Sequence, residues 1–541
     1  MRTDVFFPDH FRITMPRPFG NVVIKRSKKP PTLCIYGSAL LAALSIGAAF
    51  ALAGDERRDA LFVGGRKQLF VDSRFIESSR GMRLTMNPPY QTGELLITAD
   101  QPWETKQGAY VGLHNTVMKD GERIRVWYDF SIGPLSPGYK NESGAGRCMA
   151  YAESTDGIHF TKPKLGLHDL HGYKETNVLI RVSRGGTVWI DPTASPQERY
   201  RTQCKGPGRP QFGHRVLHFF SSPDGIHWNF MHKTDIGACD TQNVAFWDSR
   251  LGRYVLYARQ WQRGDRDPTR YRAVRRLESD DLARWENEKI VLEPDQVDLA
   301  FHETTTGQPP VDYYGGAVFR YPGPDGVYIM LANAFWHWHS RQPVSGLGPE
   351  SIDVRLLVSR DGENFERVGG RRPFLSTGPE GSWYSRMVWA NPYPVRMGDE
   401  LWIYCAGSNV DHSGNVDPLS SKLIRGITRA VMRLDGFVSA DADYTGGEIV
   451  TPRIQFEGKM LEVNLDTSGG GSLLVELLDQ EGKPIQGFTR AEATPLYGNS
   501  VRMSVSWGDN RDVSRLAGKP IKIRFIMRDC KLYAFQFRHE T

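Results

Sequence analysis

One short motif recurs along the chain and limits what it can fold into. Ser154-Thr-Asp-Gly-Ile-His-Phe160, Ser222-Pro-Asp-Gly-Ile-His-Trp228 and Ser359-Arg-Asp-Gly-Glu-Asn-Phe365 share the pattern Ser-x-Asp-Gly-x-x-aromatic. A degenerate copy, Ser279-Asp-Asp-Leu-Ala-Arg-Trp285, lies between the second and third, and Asp435-Gly436-Phe437 is a weaker fifth mark. The aspartates at 156, 224, 281, 361 and 435 stand 57 to 80 residues apart. Asp-Gly favours positive φ and a tight hairpin, so each mark predicts a turn between two strands. Upstream, Arg123–Tyr128, Arg253–Ala258, Val327–Ala332 and Leu401–Ala406 are β-rich runs, each following a turn of its own. The repeating unit is strand, turn, strand, loop, strand, Asp-Gly turn, strand. Four antiparallel strands at this period make a propeller blade, and five marks predict a five-bladed β-propeller over residues 54–446. Asp156, Asp224 and Asp361 are expected to be structural.

Beyond Gly447 the repeat stops. Leu461–Leu465, Leu473–Leu477, Val501–Val505, Ile521–Phe525 and Leu532–Phe537 alternate apolar with polar residues, separated by glycine-rich turns. That pattern predicts a β-sandwich over 447–541. With 541 residues, more than one folded body is expected in any case. The fold class is therefore all-β.

The net charge of +6 is concentrated at the N-terminus. Residues 1–53 hold seven Lys or Arg against Asp4 and Asp9, so the remaining chain is close to neutral and a nucleic-acid partner loses its main support. Lys25-Arg-Ser-Lys-Lys29 precedes an apolar run from Leu33 to Leu52, and Ala51-Leu-Ala53 supplies small residues for cleavage. This layout predicts a signal peptide over 1–53, or alternatively an uncleaved anchor, and hence a secreted or periplasmic protein with no membrane contact beyond the leader. Cys148, Cys204, Cys239, Cys405 and Cys530 follow the leader without Cys-x-x-Cys spacing, and buried free thiols are expected. No metal site or cofactor is called for: His337 and His339 have no third ligand near them, and His302-Glu303 lacks the second histidine of a zinc-protease helix.

Several segments resemble a known family. Leu69-Phe-Val-Asp-Ser73, Phe75-Ile-Glu77, Ile190-Asp-Pro192, Asp240-Thr-Gln-Asn243, Leu434-Asp-Gly-Phe-Val438 and Leu532-Tyr-Ala-Phe535 look like the exported bacterial glycoside hydrolase family 32-like proteins. These are similar to the five-bladed clan of invertases and arabinan-cleaving enzymes. The resemblance implies carboxylates converging at the mouth of a central funnel and a polysaccharide or oligosaccharide partner. Hydrolysis there needs two carboxyl groups across the glycosidic bond, with a third tuning charge. It implies catalytic roles for Asp191, Asp240 and Asp312, each expected to open an inner strand. The chain departs from invertases in two places: Ile190 stands where they have Arg, and the nucleophile-bearing Trp-Met-Asn-Asp-Pro-Asn-Gly run is missing. The equivalent strand reads Gly112-Leu-His-Asn-Thr-Val117. His114, Asn115, Glu303, Trp336, Trp338, Trp383 and Arg386 are candidate substrate-binding residues, the tryptophans as sugar platforms. Two alternatives stand beside the hydrolase: a non-catalytic carbohydrate-binding or surface propeller, and a sialidase- or lyase-like enzyme using arginines with Tyr and Glu.

Overall fold

The four-part repeats fold as antiparallel sheets. The computed structural model describes residues 60–105, 109–132, 146–181, 186–207, 215–237, 239, 241–263, 267, 269–301, 309–323, 326–337 and 350–539. The first sheet pairs Ala109–Asp120, Arg123–Ile132, Arg147–Ser154 and Val178–Arg181 in chain order. The second contains Thr187–Ile190, Tyr200–Pro207, Arg215–Ser222 and Asn229–Lys233, and the third Val244–Asp248, Arg253–Gln262, Tyr271–Ser279 and Glu286–Leu292. A ten-stranded sheet holds the remaining two repeats. Val311–Arg320, Tyr328–Trp336 and Ile352–Ser359 form one half, and Met387–Ala390, Glu400–Ser408 and Arg425–Arg433 form the other. The halves meet in parallel at one residue pair, Ile352 with Met387. The chain is thus all-β, with its sheets arranged as in a propeller-like fold. Among the described residues no helix is long and apolar enough to cross a membrane. The predicted leader lies outside the described residues.

The Asp-Gly marks form the turns expected of them. In the second sheet Ser222 Oγ accepts the Gly225 N–H at 2.9 Å, and Asp224 Oδ1 accepts those of Ile226 and His227 at 2.8 Å each. The motif's glycine meets two demands. Gly225 takes φ 76°, and a Cβ there would lie 2.8 Å from the Trp127 ring. This contact is a clasp from the sheet before: Trp127 Nε1 donates to the Gly225 carbonyl at 2.7 Å. Tyr404 and Tyr257 hydroxyls do the same for the carbonyls of Gly157 and Gly362, at 2.8 and 2.7 Å. His232 Nε2 stands 2.9 Å from the Leu282 carbonyl, and the Tyr321 hydroxyl donates to Asp435 at 3.0 Å. Each of the five marks is therefore bonded by a side chain of another repeat.

Asp224→Ala removes the acceptor of two backbone N–H groups and is expected to cost about 1–2 kcal/mol, seen as a lower unfolding midpoint. Burial works to raise the Asp224 carboxyl, but its bonds with His227 and the Ile226 N–H outweigh this and hold its pKa at about 2. A group depressed in the folded state stabilises above its ordinary pKa. The difference between the wild type and Asp224→Ala should therefore be complete at neutral pH and shrink as pH falls below about 4.

Strands between residues 61 and 98 also contribute to the last sheets. Met82–Met86 pairs with Val438–Ala442 in a six-stranded sheet with Met460–Asp466, Asn499–Ser504 and Cys530–Arg538. Ser78–Arg80 borders Gly447–Val450 in a four-stranded sheet with Lys522–Arg528 and Ser472–Leu478. The two sheets share one core of Phe70, Phe75, Ile449, Val463, Val475, Phe525 and Phe535. Tyr90–Gln91 and Ile97–Thr98 then cross to Arg425–Arg433 and complete the last repeat. A repeat whose outer strands come from the opposite end of the chain is closed only when both ends are present. The five cysteines Cys148, Cys204, Cys239, Cys405 and Cys530 are buried free thiols.

Candidate functional site

The strands Ala109–Asp120, Thr187–Ile190, Val244–Asp248, Val311–Arg320 and Met387–Ala390 are the first of their repeats. Gln242 Nε2 donates to the Asn115 carbonyl at 3.1 Å, and Thr187 Oγ1 donates to that of Asn243 at 2.8 Å. Polar side chains gather where these strands begin.

Asp312, the second residue of its strand, is fully buried. It accepts the backbone N–H of Arg272 at 2.9 Å and its Nη1 at 3.1 Å, with His337 Nε2 at 3.4 Å. Burial alone would raise its carboxyl pKa; the Arg272 charge and the His337 bond prevail and lower it. Arg272 also lies 4.4 Å over the Tyr314 ring, two residues along from Asp312 on the same face. The Tyr314 hydroxyl is 2.9 Å from His412 Nε2, and His412 Nδ1 is 3.2 Å from Glu350. Glu350 is pulled below the usual carboxylate range: burial opposes this, and bonds from His412 and Ser413 overcome it. Tyr314, His412 and Glu350 thus form a hydrogen-bonded chain ending in an ionised carboxylate. Trp389 stands edge-on to Tyr314, with ring centres 5.2 Å apart, and on its other side meets His114 at 5.2 Å. His114 Nδ1 is 3.6 Å from Asp129, which also pairs with Arg147 at 3.4 Å.

Among the predicted residues, Asp312, His114, Asn115 and Arg386 fall in this region. The Asn115 amide is wholly buried with no hydrogen-bond partner, as are the Trp389 Nε1, the Asn333 amide and the Arg386 Nη1. Buried groups of this kind cost free energy unless satisfied. The Arg386 Nη2 is 3.9 Å from Asp417.

Asp191 does not belong with them. It follows the last residue of Thr187–Ile190, at the opposite end of its strand from the end at which Asp312 sits. There it accepts bonds from Thr193 N and Tyr254 Oη, at 2.9 and 2.7 Å, which makes it a turn residue before Pro192. Trp383 is spent structurally, its Nε1 donating to the Gly93 carbonyl at 2.9 Å. Trp336 faces a separate cavity of about 470 Å³ with Phe301 and Asp353. Asp240, Glu303 and Trp338 lie outside the described residues. Trp261 carries Arg259, Arg270 and Arg272 within 4.4 to 4.8 Å of its ring, so its faces are occupied by guanidinium groups. Among the described residues no three His, Cys, Asp or Glu side chains converge as metal ligands would.

Asp312→Ala removes the carboxylate facing a buried guanidinium and an imidazole. It is expected to cost about 3–5 kcal/mol, measured by chemical denaturation, whereas Asp312→Asn keeps an acceptor and should cost less.

Solved structures with a similar shape include one named "Glycoside hydrolase", at TM-score 0.42 and 13% identity, covering 64% of this chain and 93% of that one. A β-1,2-mannobiose phosphorylase from Listeria innocua matches at TM-score 0.42 and 14% identity, over 64% of this chain and 97% of its own. An N-acetylgalactosamine deacetylase from F. plautii, solved with blood group B trisaccharide, matches at 0.40 and 16%, over 65% and 96%. At these scores the likenesses assign neither activity nor substrate. No family model matches the chain, and no curated protein does.

Proposed function

We propose that the protein is an exported, glycan-processing enzyme of glycoside hydrolase type, working where the inner strands of a closed five-bladed propeller begin, with a β-sandwich behind it. The five marks, each bonded by a side chain of another repeat, support the closed ring. The basic and apolar leader supports export. One observation carries the chemistry: the Tyr314–His412–Glu350 chain set beside Asp312 and walled by Trp389. A phenol bonded to an imidazole that is itself oriented by a carboxylate can give or take a proton at the Tyr314 oxygen. Asp312, wholly buried and paired with Arg272, holds that guanidinium over the Tyr314 ring. This constellation is nearer to the sialidase-like alternative, with its Tyr and Glu, than to a pair of invertase carboxylates.

A second reading is a glycan-binding propeller without turnover. It is favoured by Asp312 being ion-paired and by Asp191 lying at the other end of its strand. Screening the purified protein against a polysaccharide panel, for binding and for newly released ends together, separates the two. Release of product supports the enzyme, binding alone supports the second reading, and the absence of both overturns each.

A further inference from the structure

Two guanidinium groups share one aromatic ring at the start of the first repeat. Tyr110 holds in Ala109–Asp120 the position that Asp312 holds in Val311–Arg320, second from the start. Arg147 and Arg425 are each the first residue of their strand, and their guanidinium carbons lie 4.9 and 4.4 Å from the centre of the Tyr110 ring. All three side chains are partly exposed. The group adjoins the site already described: Asp129 pairs with Arg147 at 3.4 Å and approaches His114 at 3.6 Å, and His114 meets Trp389.

Two observations point to a ligand. The first is a missing counter-charge. Arg425 donates its Nε–H to the Ser408 hydroxyl at 3.2 Å, and among the described residues no carboxylate pairs with it. Asp411 acts on it through charge alone, its own carboxylate being bonded by Asn415. Burial and the charge of Arg147 pull the Arg425 pKa down, and Tyr110 and Asp411 oppose them. A confined cation beside a like charge is costly until an anion joins them.

The second is an unused donor. The Tyr110 hydroxyl accepts from Arg147 Nη2 at 2.5 Å, which leaves its own hydrogen to donate, and among the described residues nothing accepts it. Guanidinium groups match oxyanions in a planar, two-pronged fashion. We propose that Tyr110, Arg147 and Arg425 form a subsite for an oxyanion substituent of the glycan, a carboxylate or a sulfate ester. The assignment rests on reading this face as a glycan site, and it makes the glycan an acidic one.

The test uses the full-length protein and three probes: a galacturonate hexasaccharide, its carboxyl-reduced neutral counterpart, and that neutral sugar carrying sulfate esters. Affinity is read by calorimetry. At least one anionic probe is expected to bind about tenfold more tightly than the neutral one, the size of one charge-assisted contact, and which of them does so identifies the oxyanion. Arg425→Gln should remove that advantage and leave the affinity for the neutral probe unchanged. Its melting temperature should not fall, since no carboxylate loses a partner, whereas an arginine needed only for folding would lower it. Arg511→Gln, on an exposed loop, controls for net charge and should change nothing. Should Arg425→Gln fail to fold, Tyr110→Phe decides: it keeps the ring, removes the hydroxyl, and should weaken only the anionic probe, about threefold. Anionic probes bound no more tightly than the neutral one overturn the subsite and leave the glycan reading standing. So does an advantage that survives Arg425→Gln, or Tyr110→Phe where that variant decides. No binding of any probe overturns both.

Discussion

A chain ending at Gly446 should give no soluble, cooperatively folding protein. Removing 447–541 takes away the strands that pair with Leu61–Gly64, Gln68–Leu69 and Ser78–Arg80. It strips the cover from Phe70 and Phe75. It also opens the core under the repeats, where Leu69, Met86 and Val438 pack with Phe319, Ile329 and Leu331 against Val501 and Ala534. Fully burying one large apolar side chain stabilises by about 1.5–3 kcal/mol, and a domain's net stability is about 5–15 kcal/mol. Exposing this many exceeds the margin. Polar ties are lost with them: Asn464 donates to the Leu434 carbonyl at 2.8 Å and accepts from Arg433 at 2.8 Å. The measurement is soluble yield together with a thermal melt followed by circular dichroism. A soluble fragment with a sharp transition would mean that the ring stands without its neighbour.

Tyr314→Phe should lower turnover of whichever glycan the panel identifies by about 100- to 1,000-fold, the range of a lost general acid or base. KM should stay within about threefold. The ring that faces Trp389 and Arg272 is retained, so only the oxygen that joins His412 to the mouth disappears. His412→Gln should lower turnover in the same way. A loss below tenfold in Tyr314→Phe, with substrate still bound, would take the proton route away from this chain of residues.

The parts legible in sequence were those governed by local chemistry. Asp-Gly turns announce themselves because a φ near 76° at Gly225 and a carboxylate bonding the next two N–H groups need only seven contiguous residues. Asp312 stands at the start of a β-rich run, a position visible in the sequence. Ile-Asp-Pro reads alike at either end of a strand, and only the pairing of Ile190 with Tyr200 shows that Asp191 follows its strand. Tyr314, His412 and Glu350 are separated by 98 and 62 residues, so no spacing could join them. The pairings of Ser78–Arg80 and Met82–Met86 are out of reach for the same reason, since their partners lie hundreds of residues away.

The five clasps also make the two faces of the ring unequal as substrates for change. Trp127, Tyr257 and Tyr404 bolt the sheets together at the turns, on the side where short hairpins such as Asp120 to Arg123 and Asp248 to Arg253 also lie. The strand ends Ile132, Gln262, Trp336 and Ser408 lie at the opposite ends of their strands from those hairpins. An inserted segment there disturbs none of the bolts, whereas one residue added beside Gly157, Gly225 or Gly362 pulls a carbonyl off its donor. Recognition can therefore be rewritten by lengthening loops on one face, while the opposite face holds the register of the ring.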